Sequence, residues 1–359
     1  MVYEYWLAAM QGVSAKKKRL LREEYGEGRA VYYIEEIQLR FLDFLEDRDV
    51  EAILHARKDK DIEKDWQRLA EKNIRFIPYF SKQYPNRLRQ IDDAPYALYV
   101  KGRLPEEDRL SAAIVGARKC TPYGEETALE YGECLAQNGI QVISGMARGI
   151  DGAGQRGALN GGGTTYGILG NGVDICYPRE HIGLYMDIQV CGGLISEQPP
   201  GRPPLPVYFP LRNRIISGFS DVILVMEARE RSGSLITADL ALEQGKDVYA
   251  LPGPVTSRLS QGCHRLIRQG AGILISPEDL LAELKVLRGP AVQKSDKNKK
   301  TLENHENVVY SCFGFFPKGI SQLLEETGFC ASELLQILTS LELKGYIREV
   351  SKNYYSKTR

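Results

Sequence analysis

Residues 111–149 read SAAIVGARKCTPYGEETALEYGECLAQNGIQVISGMARG, and this stretch decides the fold. An apolar run, AAIVGA (112–117), breaks at a Gly-containing turn. A helical pattern, EETALEYGECLAQNG, follows, and a second apolar run, IQVISGM (140–146), leads into another Gly-rich turn. Short apolar strands alternating with helices of about 10–15 residues specify crossover units and a parallel sheet. The rhythm continues through TTYGILG (164–170), GLISE (193–197), DVILVMEA (221–228), DVYALPG (247–253) and GILIS (272–276). Between most of them lie helical patterns ending in Gly: GIDGAGQRGALNGG, SLITADLALEQG and CHRLIRQG. The pattern predicts an α/β domain with a doubly wound, mostly parallel sheet over residues 111–288.

Outward from this stretch the rhythm changes. Residues 1–75 read as helical: WLAAMQGVSAKKKRLLREEYG repeats apolar residues at helical spacing. A turn at Gly12–Ser14 separates two short helices, and Ser14 is placed to cap the second, over 16–25. Such a pair presents backbone N–H groups to a phosphate, as helix-hairpin-helix modules do, or belongs to an ordinary helical bundle. The tetrad Lys16, Lys17, Lys18, Arg19 reads as a solvated face, because four consecutive charges on a helix point in all directions. Residues 76–110 read as an irregular connector with one short strand at 97–101. Residues 289–301, GPAVQKSDKNKKT, read as a basic linker. In residues 302–359, SQLLEETG, ASELLQILTSLELKG and a terminal hairpin follow a winged-helix order. The second helix is poor in Lys and Arg, which favours a protein-interaction or accessory role over DNA reading.

The chain has 359 residues, 43% of them hydrophobic and 26% charged, the balance of a globular protein of two or three domains. No apolar run approaches the ~18 residues of a membrane span. The N-terminal MVYEYWLAAM places its charge after the apolar stretch, unlike a signal peptide. Seven scattered cysteines without a CxxC pair argue against a disulfide framework or zinc and fit a reducing cytoplasm. Lys+Arg and Asp+Glu are both 47, which excludes a surface coated with positive charge but not a local anion site. Residues 111–286 carry 15 basic and 18 acidic side chains, while 289–301 form the one basic block.

In a doubly wound sheet, ligands bind beyond the carboxyl ends of the strands, where strand order switches. The loops predicted there share a chemistry. Gly116 and Arg118 follow the first strand; Ser144, Gly145, Ala147, Gly149 and Asp151 follow the second, with Asp151 read as a helix cap; Gly170 and Gly172 follow the third, ahead of Asp174. Glycine permits close backbone approach, and a following helix N-terminus offers free N–H groups to an anion. Arg212, Asn213 and Arg214 stand at the predicted start of a helix, where cations are disfavoured. A bound anion or an internal carboxylate, Glu197 or Glu227, must justify the arginines. Ser232, Gly233 and Ser234 supply hydroxyl and N–H donors after the strand ending at Glu227. Tyr123, Tyr177 and Phe209 could stack bases or serve packing. The chain has no P-loop, GxSxG, HExxH or metal cluster, and no nucleophile–base pair emerges. A site of Gly, Ser and Arg without a chemical engine reads as a binder that needs no cofactor.

The motifs VGARKCTPYG, SGMARGID, ILGNGVDICYP, SEQPPG, FPLRNRIISGFSD, EARERSGSLITA and ALPGPV occur in this order, and with them residues 111–286 resemble the DNA-processing protein A family (DprA, also called Smf). The helical front and winged-helix tail resemble the appended domains of longer members. The resemblance implies an extended Rossmann-like domain that binds single-stranded DNA without sequence preference and dimerises. It further implies protection of incoming strands in natural transformation and loading of the RecA recombinase onto them. The family's Gly-x-Arg DNA-contacting motif falls on Gly116–Arg118 and its FPxRN motif on Phe209–Asn213. His264 stands where many members have Asn, so no role is carried over to it. The competing class is a nucleotide-processing enzyme, such as a nucleoside monophosphate hydrolase of related fold. Such an enzyme calls for a PGGxGT-type loop, and this chain has Pro252-Gly253-Pro254.

Overall fold

The computed structural model describes residues 1–58, 61–284, 304–313 and 317–357. The basic linker expected at 289–301 lies outside the described residues. The chain divides into two compact units, residues 1–287 and 288–359.

The first unit is built on a nine-stranded sheet. Its strands are β1 (Arg75–Pro78), β2 (Ala97–Gly102), β3 (Ser111–Val115), β4 (Gln141–Ser144), β5 (Thr165–Ile168), β6 (Gly193–Ser196), β7 (Val222–Val225), β8 (Asp247–Ala250) and β9 (Gly272–Ile273). Their spatial order is β1-β2-β6-β5-β4-β3-β7-β8-β9. From β6 to β9 all neighbours are parallel, and β2 joins β6 antiparallel, as β1 does β2. The seven strands read from the sequence are all present. The chain winds outward from β3 through β4, β5 and β6, then returns to lay β7 against the other side of β3, so strand order switches between β3 and β7.

Alternation along the strands serves two cores. Ala112 and Ile114 of β3, with Val222 and Leu224 of β7, face helices Pro122–Gln137 and Ile150–Asn160. Ala113 and Val115, with Ile223 and Val225, face helices Tyr208–Phe219 and Gly233–Glu243. Both faces are covered, which is why these strands read as unbroken apolar runs.

The segment read as an irregular connector contributes β1 and β2 to this sheet. Pro78 ends β1 at the sheet edge, where a missing N–H donor is tolerated, and it disguised the strand. Six short helices between Val2 and Glu71 cover this end of the sheet. Tyr5, Leu69, Ile74 and Tyr99 are buried together there, and Trp6, Leu7, Leu21, Val31, Leu39 and Ile53 form the helical core. The Ser14 hydroxyl accepts the Lys17 N–H and caps helix Ala15–Tyr25.

The solvated-face reading of the Lys16–Arg19 tetrad is corrected by this layer. Lys17 pairs with Asp49 (2.5 Å) and Glu46 (3.0 Å). Lys18 is buried and donates to the carbonyls of Ala8 and Met10, at 2.8 and 2.6 Å, where helix Val2–Ala9 ends. Arg19 donates to the carbonyls of Asp92 and Ala94. Of the four, Lys16 alone is exposed.

The second unit contains helices Asn304–Cys312, Ile320–Thr327 and Ala331–Leu343, with β10 (Lys318–Gly319), β11 (Ile347–Ser351) and β12 (Tyr354–Lys357). The strands order β10-β12-β11, all antiparallel, around a core of Val309, Phe313, Leu323, Leu334, Leu338, Leu341 and Ile347. This is a winged-helix arrangement. Its third helix, ASELLQILTSLEL, contains Glu333 and Glu342 and no Lys or Arg.

Candidate functional site

The loops after β3 and β7 diverge at the switch in strand order and open a cleft of about 460 Å³. Gly116, Arg118 and Ala147 line one side of it. Ser232, Gly233 and Ser234 line the other, and Arg212 and Asn213 reach in from helix Tyr208–Phe219. Eight of the fourteen residues singled out from the sequence therefore converge.

The two sides are tied together beneath the mouth. Thr121 caps helix Pro122–Gln137, its hydroxyl accepting the Gly124 N–H at 3.1 Å. The Thr121 N–H and hydroxyl in turn donate to Glu227 just past β7, at 2.8 and 2.6 Å. On the opposite side Ser232 caps helix Gly233–Glu243 by accepting the Ser234 N–H, and the two hydroxyls lie 2.8 Å apart.

The arginines differ in kind. Arg118 is exposed, with its guanidinium over the Phe209 ring at 5.3 Å, within cation–π range. The aromatic neighbour of Phe209 is Tyr177, with centroids 5.6 Å apart and planes inclined by 31°. The aromatic pair and Arg118 thus form one continuous wall. Tyr123 lies elsewhere and donates to the Pro252 carbonyl.

Arg212 is 5% exposed. It donates to the Ile168 carbonyl and to Asn213 Oδ1. Burial depresses its pKa to about 10, Arg118 adds to the depression, and Asp151 opposes both. A Cβ at Gly145 would collide with its guanidinium, so Gly145 is required by this internal approach. Gly149, at φ +70°, lets the loop press on the Ala117 carbonyl.

Arg214 points to the far side of the same helix. It pairs with Glu197 at 2.5 Å and Asp93 at 3.2 Å and donates to the carbonyls of Asp93 and Leu211. Burial works against its charge, but Glu197 outweighs burial and holds the guanidinium above its ordinary range. Its justification is the internal carboxylate. Ser144 is buried and donates to the Ile114 carbonyl. Gly170 packs on Phe209, and Gly172 against Pro199 and Asp174. His264 faces the Gly253 carbonyl. None of these residues lines the cleft.

Two charged lining residues, Arg231 and Asp151, were outside the sequence-derived set. Arg231 precedes the Ser232-Gly233-Ser234 loop and is exposed at the cleft. Its position in EARERSGSLITA was the available signal. Asp151, read only as a cap, lies on the cleft floor. Among the described residues, no group of three His, Cys, Asp or Glu could hold a metal, and no helix is long and apolar enough to cross a membrane.

Known proteins resemble this chain in sequence and in fold. Residues 75–285 match the DNA recombination-mediator protein A family, and residues 293–351 match the DprA winged helix domain. Protein Smf of Escherichia coli is 44% identical over 301 residues, covering 82% of this chain and 80% of that protein. DNA processing protein DprA of Streptococcus pneumoniae is 42% identical over 200 residues, covering 56% and 71%. The solved DprA structure from Streptococcus pneumoniae superposes with TM-score 0.67 at 33% identity, covering 79% of this chain and 98% of that one. A second, from Helicobacter pylori and described for its single-stranded DNA binding mode, gives TM-score 0.53 at 26% identity, covering 59% and 95%.

Proposed function

The chain belongs to the DNA recombination-mediator protein A family, and from that premise we propose that its cleft binds single-stranded DNA without reading sequence. The observation that carries this is the wall of Arg118, Phe209 and Tyr177 facing the Ser232–Ser234 loop. Exposed arginines, hydroxyls and N–H groups meet phosphates, and aromatic faces accept any base; neither discriminates sequence. The cleft-facing members of the proposed site are Gly116, Arg118, Ala147, Arg212, Asn213, Ser232, Gly233 and Ser234, joined by Arg231.

The role extends to protection of incoming strands and loading of the RecA recombinase in transformation and recombination, by a homodimer in the cytoplasm. The support for that extension is the family resemblance. The protein acts as a binder, not an enzyme, in this reading. Affinity for oligo-dT against duplex, at two salt concentrations, tests it. The expected result is preference for the single strand and a steep loss with salt from counterion release. Equal affinity for duplex, or release of free base from nucleoside monophosphates by the pure protein, would overturn it.

A further inference from the structure

Asp151 stands in the first turn of helix Ile150–Asn160, 6% exposed, on the cleft floor. Its carboxylate accepts the Gly145 N–H at 3.1 Å. The backbone N–H groups of Ala147 and Gly116 also bond to it. These three amides come from two loops, after β3 and after β4, and lie beside the buried guanidinium of Arg212.

Convergent loop amides, a helix N-terminus and a cation at strand ends are the donor set that seats a ligand phosphate in nucleotide-binding sheets. In this chain the set is already filled from within. The glycines at 116, 145 and 149 that read as openings for a ligand are closed over internal groups: Ile150, the Arg212 guanidinium and the Ala117 carbonyl. Burial raises the Asp151 pKa, against the pull of Arg212 and the amides. The carboxylate and guanidinium therefore depend on each other to remain charged.

We propose that Asp151 is a built-in oxyanion that occupies the amide nest of the cleft, so that the cleft rejects the phosphate of a single nucleotide and takes phosphates at its rim instead. The rim donors are Arg118, Arg231 and Ser232. The rim half of this statement rests on the single-strand reading above; the occupied nest does not. Removing the carboxylate leaves three N–H donors unsatisfied and the Arg212 guanidinium without its counter-charge around a space open to the cleft, and a small oxyanion should enter it.

The test compares the full chain as wild type, Asp151→Ala and Asp151→Asn. Each is melted in chloride and in inorganic phosphate at matched ionic strength, and titrated with oligo-dT. Wild type should gain no stability from phosphate over chloride. Asp151→Ala should melt lower in chloride and recover by about 3 °C in phosphate, as binding to the native state alone predicts. Asp151→Asn keeps the side-chain volume and should gain nothing. If the alanine variant fails to fold, Asp151→Ser, which also leaves room, is read the same way. Equal phosphate gain in wild type and alanine variant, or no gain in the small-side-chain variants, would overturn the proposal. Failure of the wild type to bind oligo-dT sinks the single-strand reading and leaves the phosphate comparison intact.

Discussion

Glu227, just past β7, accepts both the N–H and the hydroxyl of Thr121 in the loop after β3, at 2.8 and 2.6 Å. One buried carboxylate thus fixes the loops on either side of the switch in strand order. Glu227→Ala leaves the Thr121 donors and the cap of helix Pro122–Gln137 unsupported, and should cost about 2–3 kcal/mol of stability. Because Arg118 rides on the same loop, oligo-dT affinity should also fall in protein that remains folded. Denaturant unfolding and fluorescence anisotropy read the two effects separately. Unchanged affinity would show that the loop holds its position without the clamp.

Arg118 and Arg231 are exposed at the cleft, and neither enters an ion pair among the described residues. Their replacement should spare the fold. Arg118→Ala and Arg231→Ala should each weaken oligo-dT binding and reduce the slope of log affinity against log salt by about 0.7. Arg118→Glu should abolish binding in a gel shift while the melting temperature stays near that of the wild type. Retained binding by Arg118→Glu, with Arg231→Ala binding as the wild type does, would remove this cleft from the DNA path.

Arg214 answers differently. Its charge is buried against Glu197 and Asp93, so Arg214→Ala strands a carboxylate and should cost about 3–5 kcal/mol. Oligo-dT affinity per folded molecule should be unchanged. A stable Arg214→Ala protein with lost affinity would place Arg214 in the cleft after all.

The contrast between Arg212 and Arg214 shows where sequence reading stops. The sequence placed both at the start of a helix and demanded a counter-charge for each without saying which, whereas the helix begins at Tyr208 and puts both beyond its first turn. Two residues apart on a helix means nearly opposite faces, so one looks into the cleft and the other to Glu197. The strands β3 to β7 were legible because burial on both faces leaves unbroken apolar runs punctuated by Gly, and β8 and β9, partly exposed, continue the same rhythm. β1 was not, because RFIP is short, lies at an edge and ends in Pro. The loop glycines announced close approach, but not that the approaching groups are Ile150 and Arg212 of the chain itself. Nor does a KKKR run reveal that its third member turns inward.

That inward lysine carries a pH signature. Lys18 donates to two carbonyls, those of Ala8 and Met10, and a neutral amine has two N–H groups to give. Burial lowers its pKa from 10.5 to about 7, Arg202 adds to the lowering, and Glu197 opposes it. Between pH 7 and pH 10.5 the unfolded chain therefore binds the proton that the folded chain has released. Stability rises with pH wherever the unfolded state holds more protons, so this group's contribution is complete above pH 10.5 and is lost as pH falls toward 7. Below pH 7 both states are protonated and the slope vanishes. Lys18→Met removes the titration while keeping the packed stem. The stability of wild type minus that of Lys18→Met, from denaturant unfolding at pH 6, 7, 8 and 9, should be flat at the first step and then climb. A difference that stays level from pH 7 to pH 9 would mean the ammonium is retained in the fold, held by the carbonyls at the end of helix Val2–Ala9.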